Sequence, residues 1–192
     1  MSFYSIAPFI AEHYPEYYSI ERYPAERCVA FCKVGEEWGI LGNFGRTPLR
    51  VDGVEFRTAE QLFQTMKFTD AEAIRAVHAA GNPKMTAKHW ERTHRRADWG
   101  RIVVDAMKFC LVTKFRQSSL FRETLCRTGD AYIVEDQTSF RKKNADTWGA
   151  KLAGAEYVGP NLMGRLLMEL RTNGGELAWR LPEDVFSFRA CL

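Results

Sequence analysis

The longest regular pattern in the sequence is helical. From Trp99 to Phe115 the apolar residues Ile102, Val103, Ala106, Met107, Cys110, Leu111 and Val112 recur three and four apart, which at about 100° per residue gathers them into one stripe. Such a helix is stable only when its stripe is covered, and the neighbouring sequence supplies the cover. Glu72 to Ala80 reads as a short helix stopped by Gly81-Asn82-Pro83, where glycine caps and proline cannot continue the ladder. Lys84 to Trp90 and Leu120 to Cys126 read as further helices, and Leu162 to Arg171 as a last one with apolar residues at 162, 163, 166, 167 and 170.

Strand signals are few. Residues 28–34 and Ala131 to Val134 read as strands, and LRVDGVEFR as a hairpin turned at Asp52-Gly53, a dipeptide that tolerates the positive φ of a type I′ turn. Leu41 to Phe44 reads as a loop, and Asp136 to Glu156 as a long connecting loop of the kind that usually carries function. The first 27 residues mix Tyr14, Tyr17, Tyr18 and Tyr23 with Pro8, Pro15 and Pro24; so many aromatics predict an arm (1–27) packed on a single domain (28–192) rather than a disordered tail. At 192 residues the chain can bury about 70% of its unfolded surface in one domain.

Composition excludes some classes. Five cysteines without a C-x-x-C pair suggest neither a disulfide framework nor a zinc site, and Cys28 and Cys32, on one face of a strand, read as packing. His89 and His94 lack the i, i+4 spacing of a helical metal pair, so no metal is expected. No run approaches the roughly 20 apolar residues of a membrane span, and the N-terminus lacks a signal peptide's basic head, which predicts a cytoplasmic protein. The net charge of +3 neither requires nor forbids a polyanionic partner.

Chemistry can live in four stretches. In FRTAEQLFQTMKF, Glu60, Gln64 and Lys67 fall within roughly 60° on a helical wheel, edged by Phe63 and Phe68. They are either a solvated polar ladder on a half-exposed helix or a carboxylate, an amide and an ammonium aimed into a pocket. Thr58 and Gln61 fit a capping box, leaving Glu60 free. In NADTWGAK, Asp146 is an Asx-turn former or an acid, and Trp148 a core plug or a stacking platform. In VGPNLMGRLLMELR, Asn161 reads as an N-cap at a terminus that could hold an anion, and Gly164 as a close approach to a neighbour, most commonly another helix, or to a ligand. The run KHWERTHRRADW is a solvated basic face or a surface tracking a nucleic-acid backbone through residues such as Arg95 and Arg96.

LGNF, P-x-x-VDG, T-x-E-x-x-F-Q-x-x-KF, D-x-WG and VG-x-N-x-x-G-x-LLMELR, in that order from about Gly42 to Arg171, together resemble the NADAR family, also called YbiA-like. The resemblance implies an α+β, mainly helical fold with a small β-sheet or hairpin component near the N-terminus, and an N-glycosidase needing no cofactor. It implies as substrate either ADP-ribose attached to guanine in nucleic acid or phosphorylated N-ribosides of early riboflavin synthesis; the basic, Trp-bearing run from Lys88 to Trp99 favours the first, in single-stranded DNA. Members of the first kind include antitoxins, which makes a DNA ADP-ribosyltransferase toxin a partner; a non-catalytic nucleic-acid-binding or antitoxin protein ranks below both. Carried over, the site comprises Glu60, Lys67 and Asp146 as catalytic residues, with Asn43, Phe44, Gln64, Trp148, Gly149, Gly159, Asn161 and Gly164 binding substrate. Relatives often carry the loop acid three residues before the tryptophan, whereas Asp146 stands two before Trp148. Glu60 would stabilise the cationic anomeric carbon and activate water, Gln64 would orient on a hydroxyl, and Lys67, two helical turns or about 10 Å along, could capture C1′ of an opened ribose as a Schiff base.

Overall fold

Local signals place most of the elements. The computed structural model describes residues 6–192, so Met1–Ser5 of the aromatic arm lie outside the described residues. In chain order the elements are α1 (Ala7–His13), β1 (Glu21–Pro24), β2 (Cys28–Phe31), β3 (Leu49–Val51), β4 (Val54–Phe56), α2 (Ala59–Thr65), α3 (Ala71–Ala79), α4 (Pro83–His94), α5 (Trp99–Gln117), α6 (Ser119–Arg127), β5 (Tyr132–Glu135), β6 (Lys151–Ala153), β7 (Glu156–Gly159) and α7 (Leu162–Thr172), followed by a 3-10 segment at Glu183–Ala190. This is an α+β fold, mainly helical. The chain forms two compact units, one from the residues up to Gly42 with Leu120–Glu176, the other from Asn43–Ser119 with Leu177–Leu192.

In the first unit β2 and β5 pair in parallel, Cys28 opposite Tyr132, and β1, β7 and β6 form an antiparallel sheet in that order. Part of the aromatic arm is therefore a sheet strand, with Tyr23 buried opposite Tyr157. Residues 136–156 are also less irregular than their sequence suggests, since their end forms the β6–β7 hairpin closed at Gly154, φ 66°. The strands thus extend well beyond the N-terminal region.

In the second unit the β3–β4 hairpin turns at Asp52 and Gly53, φ 50° and 86°, the positive values a type I′ turn needs. Helix starts follow capping chemistry: Asp70 Oδ1 accepts from Ala73 N, and Asn82 Oδ1 accepts from Met85 N with Pro83 at the first helical position. The stripe of α5 is buried from Trp99 to Val112, and the same helix buries Lys114 completely. The C-terminal segment is tied to the hairpin by Arg189, whose Nε donates to Asp52 Oδ2 at 2.7 Å, and by Phe188 packed edge-on against Phe56.

Candidate functional site

Thr58 caps α2, its hydroxyl oxygen accepting from Gln61 N at 3.1 Å. The reciprocal bond of the capping box lands one residue early: Gln61 Oε1 accepts from Arg57 N at 2.7 Å, while its Nε2 donates to His78 O. Gln61 thus joins α2 to the end of α3, and every residue of α2 is buried. The solvated-ladder reading fails for Glu60 and Gln64, which are 6% and 3% exposed.

Lys67 does not continue that helix. Met66 N makes the last bond of helical spacing, to Leu62 O, after which Lys67 N reaches Gln64 O and Phe68 N reaches Thr65 O, the i→i+3 pattern of a tightening final turn. Phe68 then bridges Arg95 in antiparallel fashion, and Arg96 N donates to Lys67 O at 2.9 Å. The expected two-turn separation along one helix is therefore corrected: a turn presents Lys67, and the backbone just past α4 holds it.

Around these residues the second unit assembles a charged cluster walled by aromatic rings. Gln64 Nε2 donates to Glu60 Oε1 at 2.7 Å, and Glu60 N donates to Asn43 O at 3.0 Å. Among the described residues, Gln64 Oε1 and Asn43 Oδ1 are buried without a hydrogen-bond partner. Lys67 Nζ donates to Glu91 Oε1 on α4, with the two side chains 13% and 10% exposed, and lies 5.7 and 5.9 Å from the ring centres of Trp99 and Phe63. Burial pulls the Lys67 ammonium below the usual lysine range, Glu91 and Glu60 pull it back, and Lys84 adds to the lowering. Lys84 Nζ also sits 5.9 Å from the ring centre of Phe44, which is exposed. Such a set can hold positive charge at a sugar carbon, accept protons and offer an amine nucleophile.

Glu91 and Lys84 were not legible as site residues. Glu91 is the one acid within KHWERTHRR, a weak signal that only the packing of α4 beside α2 makes meaningful.

The first unit contains the other group. Asp146 forms the Asx turn, its Oδ1 accepting from Trp148 N at 3.0 Å and from Gln137 Nε2, while Gln137 Oε1 accepts from Asp146 N. Trp148 is half-buried. The anion site expected at the start of α7 is filled by this loop: the N–H groups of Asn161, Leu162 and Met163 donate to the carbonyls of Gly149, Thr147 and Trp148. Asn161, at φ 50°, makes no side-chain cap; its Oδ1 accepts from Glu135 N and its Nδ2 donates to Ile133 O, stitching the turn to β5. A Cβ on Gly164 would run into Ile133 O, one on Gly149 into Glu135 O, and one on Gly159 would lie 2.7 Å from Gly149 O. Protein atoms already take the space beside these glycines, and the neighbour that requires Gly164 is a strand rather than a helix.

The basic run divides. Lys88, His89 and Arg92 are exposed on α4, and Trp90 packs edge-on against His94. Arg95 is half-buried with its backbone in the Phe68 bridge. Arg96 is 7% exposed and gives its guanidinium to Asp98, at 2.6 and 3.0 Å, and to Asp184, at 2.7 Å. Arg96 is thus a structural tie, since two carboxylates hold the charge that a phosphate would need. Among the described residues there is no group of three or more His, Cys, Asp or Glu arranged to hold a metal ion, and no helix long and apolar enough to cross a membrane.

The family model of the NADAR domain matches residues 30–173. The N-glycosidase YbiA of Escherichia coli is 29% identical over 154 residues, covering 79% of this chain and 91% of that protein. The N-glycosidase Npun_R5314 of Nostoc punctiforme is 30% identical over 148 residues, covering 74% and 90%. A riboflavin biosynthesis protein of Vibrio vulnificus, VVA0006, is 29% identical over 175 residues, 89% of this chain but 44% of that longer protein. The NMR structure of E. coli YbiA superposes with a TM-score of 0.62 over 76% of this chain and 83% of that one, at 29% identity.

Proposed function

Because the chain belongs to the NADAR family, we propose that it is a hydrolase of N-glycosyl bonds, and that its substrate is ADP-ribose joined to guanine in single-stranded DNA. The observation that carries the reading is the buried Glu60 carboxylate, held by Gln64 in the same unit that presents Lys67. A buried carboxylate is costly even when hydrogen-bonded, so packing alone gives no reason to place one here. Cleavage of a C1′–N bond uses it, because positive charge grows on the anomeric carbon in the transition state. Glu60 stabilises that charge and activates water.

Lys67 is the nucleophile. A riboside of an exocyclic amine can open to an imine, and an ammonium whose proton is loosened by burial supplies the free amine that attacks C1′. The buried acceptor oxygens of Gln64 and Asn43 bind ribose hydroxyls, whose O–H groups would satisfy them. The exposed Lys88, His89 and Arg92 favour a nucleic-acid substrate, the strand running along that face of α4. Such an activity reverses the work of a DNA ADP-ribosyltransferase, and an antitoxin role toward that partner follows from it.

The similarity to the riboflavin biosynthesis protein of Vibrio vulnificus favours a second reading, a phosphorylated N-riboside from riboflavin synthesis. The two readings share the chemistry of Glu60 and Lys67 and differ in what lies beyond the ribose. The deciding experiment compares kcat/KM for release of ADP-ribose from a modified guanine oligonucleotide with that for hydrolysis of the phosphorylated N-riboside. Higher efficiency on the oligonucleotide is expected; the reverse order assigns the second substrate.

A further inference from the structure

The side chain in direct contact with Lys67 Nζ is Glu91, on α4 and outside every motif that carried the family resemblance. Both side chains are largely withdrawn from water, and Lys67 Nζ lies 5.9 and 5.7 Å from the ring centres of Phe63 and Trp99. The contact is held from behind: Arg96 N bonds Lys67 O, Arg95 bridges Phe68, and the Arg96 guanidinium is anchored on Asp98 and Asp184. Glu60, the other acid that acts on Lys67, already has one oxygen engaged by Gln64. We propose that Glu91 is the acid–base partner of Lys67, carrying the proton between Nζ and the departing base nitrogen. This rests on the reading that Lys67 attacks the sugar.

The protons balance around one carboxylate. Glu91 takes a proton from the Lys67 ammonium and gives it to the nitrogen of the opened imine as the Nζ lone pair bonds C1′. The product is a carbon bearing both nitrogens, with a positive charge on Nζ and Glu91 ionised again. Glu91 then takes a second proton from Nζ and hands it to the base nitrogen. The bond from C1′ to that nitrogen breaks with its electron pair leaving on the base, which departs as a neutral amine. The Nζ lone pair closes the protonated Schiff base. Water added at C1′ releases the ribose aldehyde and restores the ammonium, so no proton is gained or lost over the exchange beyond those of the water consumed. A proton carrier at Nζ is needed because a buried amine has little solvent from which to exchange.

An ion pair that merely holds Lys67 predicts the opposite response to mutation. Removing the carboxylate would lower the Lys67 pKa further, leave more free amine at neutral pH and speed adduct formation. Loss of a proton carrier slows it at every pH. The test is borohydride trapping of the adduct over pH 5 to 10, on ADP-ribosylated guanine oligonucleotide and, in parallel, on the phosphorylated N-riboside, with melting temperature recorded throughout. Glu91→Gln is expected to lower the high-pH plateau by about 10²–10⁴ while its half-point moves to lower pH, and formate is expected to restore part of the rate to Glu91→Ala. An unchanged plateau, or a faster reaction at neutral pH, in Glu91→Gln overturns the proposal and leaves the Lys67 reading standing. Absence of any adduct in the wild-type protein on both substrates overturns the Lys67 reading itself, and the proposal with it. If neither variant folds, Glu91→Asp decides: a wild-type pH profile at reduced rate supports the shuttle, and a faster reaction at neutral pH overturns it.

Discussion

Gln64 Nε2 donates to Glu60 Oε1 at 2.7 Å one turn apart in a helix whose every residue is buried. The bond fixes one carboxylate oxygen and leaves the amide's own acceptor without a partner among the described residues. A helix that served packing alone would place apolar side chains at both positions, since a buried acceptor without a hydrogen bond costs about 1–3 kcal/mol.

Glu60→Gln keeps the shape and removes the charge. N-glycosyl hydrolysis should fall by about 10²–10⁴ with the melting temperature changed little. Single-turnover rates on the modified oligonucleotide measure this; near wild-type turnover would remove Glu60 from the chemistry.

Lys114 couples stability to pH. Burial lowers its pKa to about 7, below that of an unfolded lysine, so between pH 7 and about 10.5 the unfolded chain binds more protons and stability rises with pH. Below pH 7 the ammonium is present in both states, and the stability that its deprotonation adds, on the order of a few kcal/mol, is absent. The stability of Lys114→Met relative to the native protein should therefore be most favourable at pH 6 to 7, and its denaturation curves should lose the alkaline rise. A rise of unchanged slope in the variant would assign the effect to another group.

Gly164→Ala brings a methyl against the Ile133 carbonyl, a backbone atom that cannot swing away. Alanine's helix preference, about 1 kcal/mol over glycine, works against an overpacking cost of about 1–3 kcal/mol. Net destabilisation is expected in urea titration, and a stabilised variant would show that β5 and α7 can part without loss.

Arg96→Ala should lower stability by about 1–2 kcal/mol, a figure reduced because Asp98 and Asp184 stay largely solvated. The salt dependence of oligonucleotide affinity should be unaltered. Lys88→Ala with Arg92→Ala should do the reverse, flattening the salt dependence at unchanged melting temperature. Equal effects of both sets on affinity would place Arg96 at the nucleic acid after all.

What the sequence by itself determined is what depends on neighbours a few residues apart. The Asp52-Gly53 turn, the stops and starts at Gly81-Asn82-Pro83, the cap at Thr58 and the stripe of α5 are local, because backbone sterics and i→i+4 spacing decide them. The family motifs marked Asn43, Glu60, Gln64 and Lys67 but not Glu91 and Lys84 beside them. Only the tertiary structure decided that Glu60 is buried, that Lys67 leaves the helix and meets Glu91 twenty-four residues on, that Arg96 is spent on Asp184, and that β6 and β7 pair within an apparent loop. Three of these, the burial of Glu60, the Lys67–Glu91 pair and the Arg96–Asp184 pair, join or enclose residues far apart in the chain, and β6 and β7 are too short to announce themselves. A polar side chain carries no local mark of whether water or another part of the protein will face it, since that depends on which distant segment comes to lie beside it.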